Sequence, residues 1–252
     1  MLSNQTMTAT RSRTIAVIGL WIAAIGLAML ADRWVATTAS ARGIPQFLKA
    51  QHSVYEYQRQ NGKIVDFSLS VADVLKWPGD YAATAVIAVF AAMAYPRRPR
   101  WHGGAFVLIC GLLSGVNGAV KWMAGRARPF KILGTKQELT VPHPFDFQPF
   151  YNGLNGMFGT PNLCFPSGHA ALAFANAAAI AILFPRWRWI AYAVATLTAM
   201  ERFLETAHYF SDTVAAAALG IGGAHLLAWA FAARMDEPPG FPVEPVAVLK
   251  TQ

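Results

Sequence analysis

Six apolar stretches run through this chain: Ile15 to Val35, Tyr81 to Tyr95, Gly104 to Met123, Ala170 to Phe184, Ile190 to Ala207 and Thr213 to Ala232. Runs of this kind suit helices that cross a bilayer. Several fall short of the roughly 20 residues a span needs, so their polar ends must complete them by snorkelling or local thinning. The remainder does not offer the surface of a soluble domain. Charged residues make up 13% of the chain, about half the usual share, and 55% of it is hydrophobic. The fold class that follows is all-α, a polytopic membrane helix bundle with six transmembrane helices.

Charge in the connections orients the bundle. Arg11 and Arg13 precede the first stretch, Arg97, Arg98 and Arg100 lie in the loop Pro96 to His102, and Arg186 and Arg188 lie in the loop Pro185 to Arg188. Basic residues mark cytoplasmic ends, which places both termini inside and the loops 36–80 and 125–165, with the turn near His208, outside. The expected organisation is a cytoplasmic N-terminal tail over 1–13, one membrane domain over 14–234, and a disordered, proline-bearing tail over 235–252. Arg11, Arg13 and Ala39-Ser40-Ala41 also resemble a cleavable signal peptide. The long apolar run, the spans that follow and the position of Asp32-Arg33 favour an uncleaved first span.

The net charge of +8 does not point to nucleic acid, because the basic residues are scattered over loops and helix ends and form no basic stripe. A membrane surface and an anionic headgroup account for it better. Cys110 and Cys164 are too few for a disulfide framework, and their different depths leave them unpaired. In the first outer loop Ile64, Phe67, Val71, Val74 and Leu75 recur at helical spacing, which predicts a helix, either lying in the interface or packing as an ordinary amphipathic element. Gly111 and Gly115, and Ala216, Gly220 and Ala224, are spaced four apart, which lets helices approach closely. The stretch 142–161 is a loop bearing Phe145, Phe147, Phe150, Tyr151 and Phe158, whose rings suit either interfacial anchoring or a rim over a site.

Three polar clusters sit where apolar runs meet outer loops. Lys121 and Arg128 are seven residues apart, almost two helical turns, so on a helix both leave one face and can grip a phosphate, with Pro129 helping to end the segment. Taken singly they also read as snorkelling cations, and Arg126, which points elsewhere on such a helix, keeps that reading. Pro166-Ser167-Gly168-His169 places Pro166 in a first helical turn. The N–H groups near Ser167, Gly168 and His169 then form an anion site, Ser167 adds a hydroxyl and His169 a transferable proton; a simple helix cap is the other reading. Arg202 lies near the outer end of the fifth stretch and His208 at the turn into the sixth. Asp212, four residues on, can accept one ring N–H of His208 if the turn is helical, which leaves the other nitrogen free to attack phosphorus.

In order and spacing, Lys121 with Arg128-Pro129, Pro166 to His169, and Arg202 with His208 and Asp212 resemble the three-part signature of the type 2 phosphatidic acid phosphatase (PAP2) superfamily. The likeness covers about Gly104 to Ala232. It implies an integral-membrane lipid phosphatase in which His208 forms a phosphohistidine and is oriented by Asp212. His169 protonates the leaving group and later activates water, while Lys121, Arg128, Ser167, Gly168 and Arg202 hold the phosphate. No metal and no other cofactor is implied. The expected substrate is a lipid phosphate or pyrophosphate at the outer face of a cell inner membrane, with phosphatidic acid, phosphatidylglycerophosphate, undecaprenyl pyrophosphate and lipid A phosphates as candidates. One departure stands out: Glu201 occupies the position where the family usually has Ser. Adjacent helix residues diverge by about 100°, so Glu201 is expected to face away from the site. Glu205, one turn on, reads equally as a helix contact, a headgroup contact or a catalytic group.

Other functions compete. A phosphotransferase would use the same intermediate and pass the phosphate to a second lipid. A transporter or scaffold would carry the site without using it. His169, His208 and Asp212 include common zinc ligands, but Lys121, Arg128 and Arg202 disfavour a cation among them.

Overall fold

The structure is a computed structural model that describes residues 4–49, 51–58, 64–95, 99–129, 147–150, 153 and 163–232. Its helices fall on the apolar stretches. α1 spans Asn4–Ala41 and is followed by a short α2 (Ile44–Lys49); a hairpin of β1 (Gln51–Gln58) and β2 (Ile64–Ser70) leads into α3 (Val71–Lys76). The bundle continues with α4 (Tyr81–Ala94), α5 (Trp101–Leu113), α6 (Asn117–Ala124), α7 (Gly168–Leu183), α8 (Arg188–Leu204) and α9 (Phe210–Ala232). Ser12–Ala41, Trp101–Ala124 and Phe210–Phe231 are long and apolar enough to cross a membrane, and Val71–Gly79 with Tyr81–Ala94, bent by 55°, makes a fourth if counted as one span. This is a multi-pass membrane protein. Large apolar side chains such as Leu20, Leu30, Phe90, Leu112 and Trp229 cover its outer surface, as a lipid environment permits. α7 and α8, at 16 and 17 residues, fall below the usual spanning length.

The first outer loop departs from the helical expectation by one hairpin, while the bundle itself is all-helical as expected. Residues 64–70 form a strand paired antiparallel with 51–58, in register from Gln51 opposite Ser70 to Gln58 opposite Ile64, with one irregularity between Ser53 and Tyr55. Val65, Phe67 and Leu69 alternate with Asp66, Ser68 and Ser70, a period of two that pairing with β1 selects over the helical period. Only the second half of the expected helix forms. Ser70 starts α3 with a capping box, in which its hydroxyl accepts the Asp73 N–H at 3.1 Å and the Asp73 carboxylate accepts the Ser70 N–H at 3.0 Å.

α7 is the centre of the bundle, packed against α8 and α9 and, more lightly, α5. Its alanines at 170, 171, 173, 175, 177, 178 and 179 are all buried. Small side chains there let neighbouring backbones come close, which is how helices associate without a hydrophobic drive of their own. Gly220 of α9 shows the limit, since a Cβ there would lie 2.4 Å from the Ala171 carbonyl oxygen and 2.8 Å from the Ala175 nitrogen. Ala216 and Ala224, one turn to either side, are buried on the same seam. Cys110 and Cys164 are both buried and free, as expected.

Because successive long helices alternate in direction, the ends of α6 and α8 and the starts of α4, α7 and α9 lie at one end of the bundle. That end carries the polar residues.

Candidate active site

Lys121, Arg128, Gly168, His169, Arg202 and His208, from all three clusters, line one cavity of about 480 Å³ together with Asp80, Asn117 and Leu172. Each arrives by a local device. α6 ends just after Lys121, where Gly125 adopts φ +67° and its N–H caps the Lys121 carbonyl at 2.8 Å. Arg128 thus lies beyond the helix, in a segment whose neighbours Arg126 and Ala127 bridge to Phe147 and Leu163. The two cations meet through this turn and not, as expected, along one helix face. Gly125 and not Pro129 stops the helix.

α7 begins at Gly168 with Ser167 as its N-cap residue, so Pro166 precedes the helix and does not occupy its first turn. The Ser167 N–H is spent on the Asp212 carbonyl at 3.1 Å, which withdraws it from any anion site. Gly168 keeps its place on the cavity wall. Ser167 is fully buried, does not line the cavity, and its hydroxyl has no hydrogen-bond partner among the described residues. His169 sits one residue further on, its Nε2 3.1 Å from Asp80 Oδ1. Asp80 was not among the expected site residues. It ends the Trp77–Gly79 turn, which the α7 backbone touches so closely that a Cβ on Gly79 would lie 2.3 Å from the His169 carbonyl oxygen.

Arg202 is buried near the end of α8 and is already held by carboxylates. Its Nη2 donates to Glu201 Oε1 at 3.0 Å, its Nε lies 2.7 Å from Glu201 Oε2 as an ion pair, and Glu205 pairs with the same Nη2. Glu201 is not on the cavity wall, in keeping with the expected divergence of adjacent residues, yet its carboxylate curls back to orient Arg202 from behind.

His208 occupies the turn between α8 and α9 and is 2% exposed, with one face on the cavity. Its Nδ1 lies 2.9 Å from the Cys164 carbonyl and 3.5 Å from Asp212 Oδ2. Asp212 is a partner as expected, but the nearer acceptor is a backbone oxygen that sequence spacing does not reveal. Two acceptors at Nδ1 keep the proton there and leave Nε2 unprotonated. Burial holds the imidazole to a pKa of about 4, against the pull of the Asp212 carboxylate.

Arg126 overturns its reading as a snorkelling cation. It is 1% exposed, bound to Asp212 Oδ1 at 2.6 Å, Ser211 Oγ at 2.8 Å and Asp32 Oδ2 at 2.7 Å, and stacked 4.1 Å from the Tyr209 ring centre. Phe147 lies over its other side at 5.2 Å, and Phe150 packs edge-on to Trp122, so these two loop aromatics brace α6 and its turn. Phe145, Tyr151 and Phe158, the stretch's remaining rings, lie outside the described residues, as does the tail 235–252. Among the described residues no three His, Cys, Asp or Glu side chains are grouped to hold a metal ion.

A second hollow, of about 460 Å³, runs along α4, α7 and α8 from Trp77 and Pro78 to Phe184 and Trp187. Its lining is apolar apart from Asn176, whose amide is engaged by Thr84 Oγ1 and the Pro78 carbonyl. The Trp77–Gly79 turn separates it from the polar cavity.

In sequence the chain is 37% identical over 128 residues to a protein of Rhizobium johnstonii named lipid A 1-phosphatase, a match covering 50% of this chain and 45% of that one. It is also 37% identical over 116 residues to a protein of the same name in Rhizobium etli, covering 45% and 42%. The matched segment thus spans less than half the length of these relatives. Among solved structures, a transmembrane PAP2-type phosphatidylglycerolphosphate phosphatase from Bacillus subtilis aligns with a TM-score of 0.48 and 16% identity, over 85% of this chain and 95% of that one. The sequence pattern of the PAP2 superfamily matches residues 102–236, more than half of the chain and the segment that holds all three clusters, and the chain belongs to that superfamily.

Proposed function

We propose that the protein is a metal-independent membrane phosphatase that removes phosphate from a phosphomonoester or pyrophosphate of a lipid through a phosphohistidine at His208. One observation carries the reading: His208, with Nδ1 tied to Cys164 and Asp212, shares a cavity with Lys121, Arg128, Arg202 and His169. A nucleophile, fixed positive charge and a proton carrier around one space are what phosphoryl transfer needs.

In the first step Nε2 of His208 attacks phosphorus, and the bond from phosphorus to the lipid oxygen breaks. His169, as an imidazolium with its Nε2–H held by Asp80, gives its other ring proton to the departing oxygen. In the second step His169 takes a proton from water, the hydroxide attacks phosphorus, the phosphorus–nitrogen bond breaks, and inorganic phosphate leaves with His208 restored. Lys121, Arg128, Arg202 and the N–H of Gly168 stabilise the charge on the phosphoryl oxygens, and Ser167 supports the start of α7 behind them. Asp212 supports the positive charge that His208 gains.

The site belongs to a single membrane domain over 14–234 that crosses the bilayer six times, with both termini cytoplasmic and the cavity at the outer, periplasmic face of an inner membrane. Arg100, Arg186 and Arg188 lie at the opposite end of the bundle from the cavity, which supports this orientation. The apolar hollow favours a lipid over a soluble ester. α7, whose 16 residues run beside it, is about 24 Å long, more than one leaflet's share of a hydrocarbon core roughly 30 Å thick, so an acyl chain can lie there with its headgroup in the cavity. Lipid A 1-phosphate is the first substrate to try, on the strength of the two similar proteins that bear that name.

The test is phosphate release by the purified protein from lipid phosphates and pyrophosphates, lipid A included, with chelator present. Release that His208→Ala abolishes supports the reading. Transfer of phosphate to an added acceptor lipid without free phosphate would convert it to a phosphotransferase, and lipid flipping that survives His208→Ala with no phosphate lost would replace it.

A further inference from the structure

Arg126 does not line the cavity, yet both groups that hold His208 are attached to it. Its Nη1 donates to Asp212 Oδ1 at 2.6 Å, and Asp212 Oδ2 is the carboxylate oxygen near His208 Nδ1. Its backbone carbonyl accepts the N–H of Cys164 at 2.8 Å, and the Cys164 carbonyl is the nearest acceptor to the same ring nitrogen. One residue therefore touches both acceptors, and the Tyr209 N–H holds Asp212 Oδ2 itself at 2.8 Å.

Asp32 completes the arrangement from a distant part of the chain. It lies in α1, 94 positions before Arg126, and is fully buried. One carboxylate oxygen takes the Ser211 N–H at 2.8 Å, and the other takes the Ser211 hydroxyl at 2.6 Å and Arg126 Nη2 at 2.7 Å. It thus clamps the first turn of α9, where Asp212 sits, to the guanidinium. With both carboxylates ionised, a buried guanidinium between them leaves the group with one net negative charge, directed at His208 through Asp212. Without Asp32 the Arg126 charge would be offset by Asp212 alone, and little negative potential would remain for the imidazole.

We propose that Asp32 and Arg126 are positioning residues for His208, which keep Nδ1 protonated and Nε2 free toward the cavity and supply the negative charge that stabilises the phosphorylated ring. The proposal rests on His208 being the attacking group. It assigns to the first helix, which contributes nothing to the cavity wall, a direct part in setting the nucleophile.

The experiment is nitrogen NMR of detergent-purified protein labelled with 15N-histidine, the His208 signals being assigned by their loss in His208→Asn. It is run on the intact chain, Asp32→Asn and Arg126→Lys, alongside kcat and KM on the best lipid phosphate. The intact chain should show a single tautomer protonated at Nδ1. Asp32→Asn, which keeps the size and removes the charge, should give a tautomer mixture and lower kcat about 10- to 100-fold, the usual effect of losing a supporting partner behind a functional histidine, with KM changed less than about threefold. Where Asp32→Asn does not yield folded protein, Arg126→Lys carries the same comparison, since lysine keeps the charge but not the fork that spans Asp32 and Asp212. A folded Asp32→Asn protein with an unchanged tautomer and unchanged kcat would overturn the proposal. The tautomer comparison decides even if no lipid is dephosphorylated, so failure of the phosphatase reading and failure of this one are told apart.

Discussion

His208 Nδ1 is 0.6 Å nearer the carbonyl oxygen of Cys164, at 2.9 Å, than the carboxylate of Asp212, at 3.5 Å. The backbone therefore supplies the nearer acceptor and the side chain supplies the negative charge. Separate roles predict separate losses. His208→Ala should abolish phosphate release. Asp212→Asn should lose about 10²- to 10³-fold in kcat, the scale of one electrostatic contact to a developing charge, with KM nearly unchanged. Steady-state kinetics on the two variants checks both values; equal loss in the two would mean that Asp212 does more than stabilise charge.

Burial of His208 in the turn before α9 holds its pKa to about 4, below the ordinary 6.5. A nucleophilic imidazole must be neutral, so the acid limb of kcat/KM should fall near pH 4 and activity should persist through pH 5. The sign for stability follows the same shift. Between pH 6.5 and 4 the unfolded chain binds a proton at this residue that the folded chain refuses, so this contribution is complete above pH 6.5 and is lost as the pH falls toward 4. A pH–rate profile with a parallel thermal-unfolding series checks this; an acid limb at 6.5 in a folded protein would mean that the ring is solvated when it works.

Glu205 pairs with the Arg202 guanidinium that the phosphate is proposed to use. Removing that competitor while Glu201 keeps its hydrogen bond to Nη2 should free Arg202 for substrate. Glu205→Gln is expected to lower KM about threefold to tenfold, corresponding to roughly 0.7–1.4 kcal/mol, with little change in kcat. A raised KM would show instead that Glu205 orients the arginine toward the phosphate.

The apolar hollow makes a prediction about substrate form. Ala191 of α8 lines it and is only partly buried, so Ala191→Trp should fill the channel. The variant should raise KM for a long-chain lipid phosphate at least fivefold and leave a short, water-soluble phosphate ester unaffected. Equal effects on both esters would remove the acyl chain from the hollow.

Gly220 allows α9 to lie against the α7 backbone. Gly220→Ala places a methyl group 2.4 Å from the Ala171 carbonyl oxygen and should cost about 1–3 kcal/mol, the range for overpacking a close contact. Because α7 and α9 carry His169 and Asp212, activity should fall with stability. Thermal unfolding in detergent measures the first loss; a variant as stable as the parent would mean that the two helices separate without cost.

Several of these relationships were legible in the residues alone. The apolar runs and the scarcity of charge pointed to a bundle of membrane helices, because a continuous apolar segment in lipid satisfies its backbone groups within itself only as a helix, whereas a barrel strand alternates. The order Lys121, Arg128, Ser167, Gly168, His169, Arg202, His208 and Asp212 carried the likeness to the superfamily, since short motifs keep chemistry and spacing within one local segment. What the sequence could not carry were choices between elements far apart in the chain. Residues 64–75 carry a strand period at Val65, Phe67 and Leu69 and a helical one at Ile64, Phe67, Val71, Val74 and Leu75, and over 64–70 only the partner strand at Gln51–Gln58 decides between them. Arg126 is, by spacing, a cation off the phosphate-facing side of a helix. It reaches Asp212 instead because the left-handed turn at Gly125 redirects it, and it meets Asp32, 94 positions away, because that residue lies in the helix beside α9. Asp80 meets His169 only because the Trp77–Gly79 turn packs on the start of α7. Buried charges must find partners wherever the fold brings them, and the identity of those partners is a property of packing and not of local sequence.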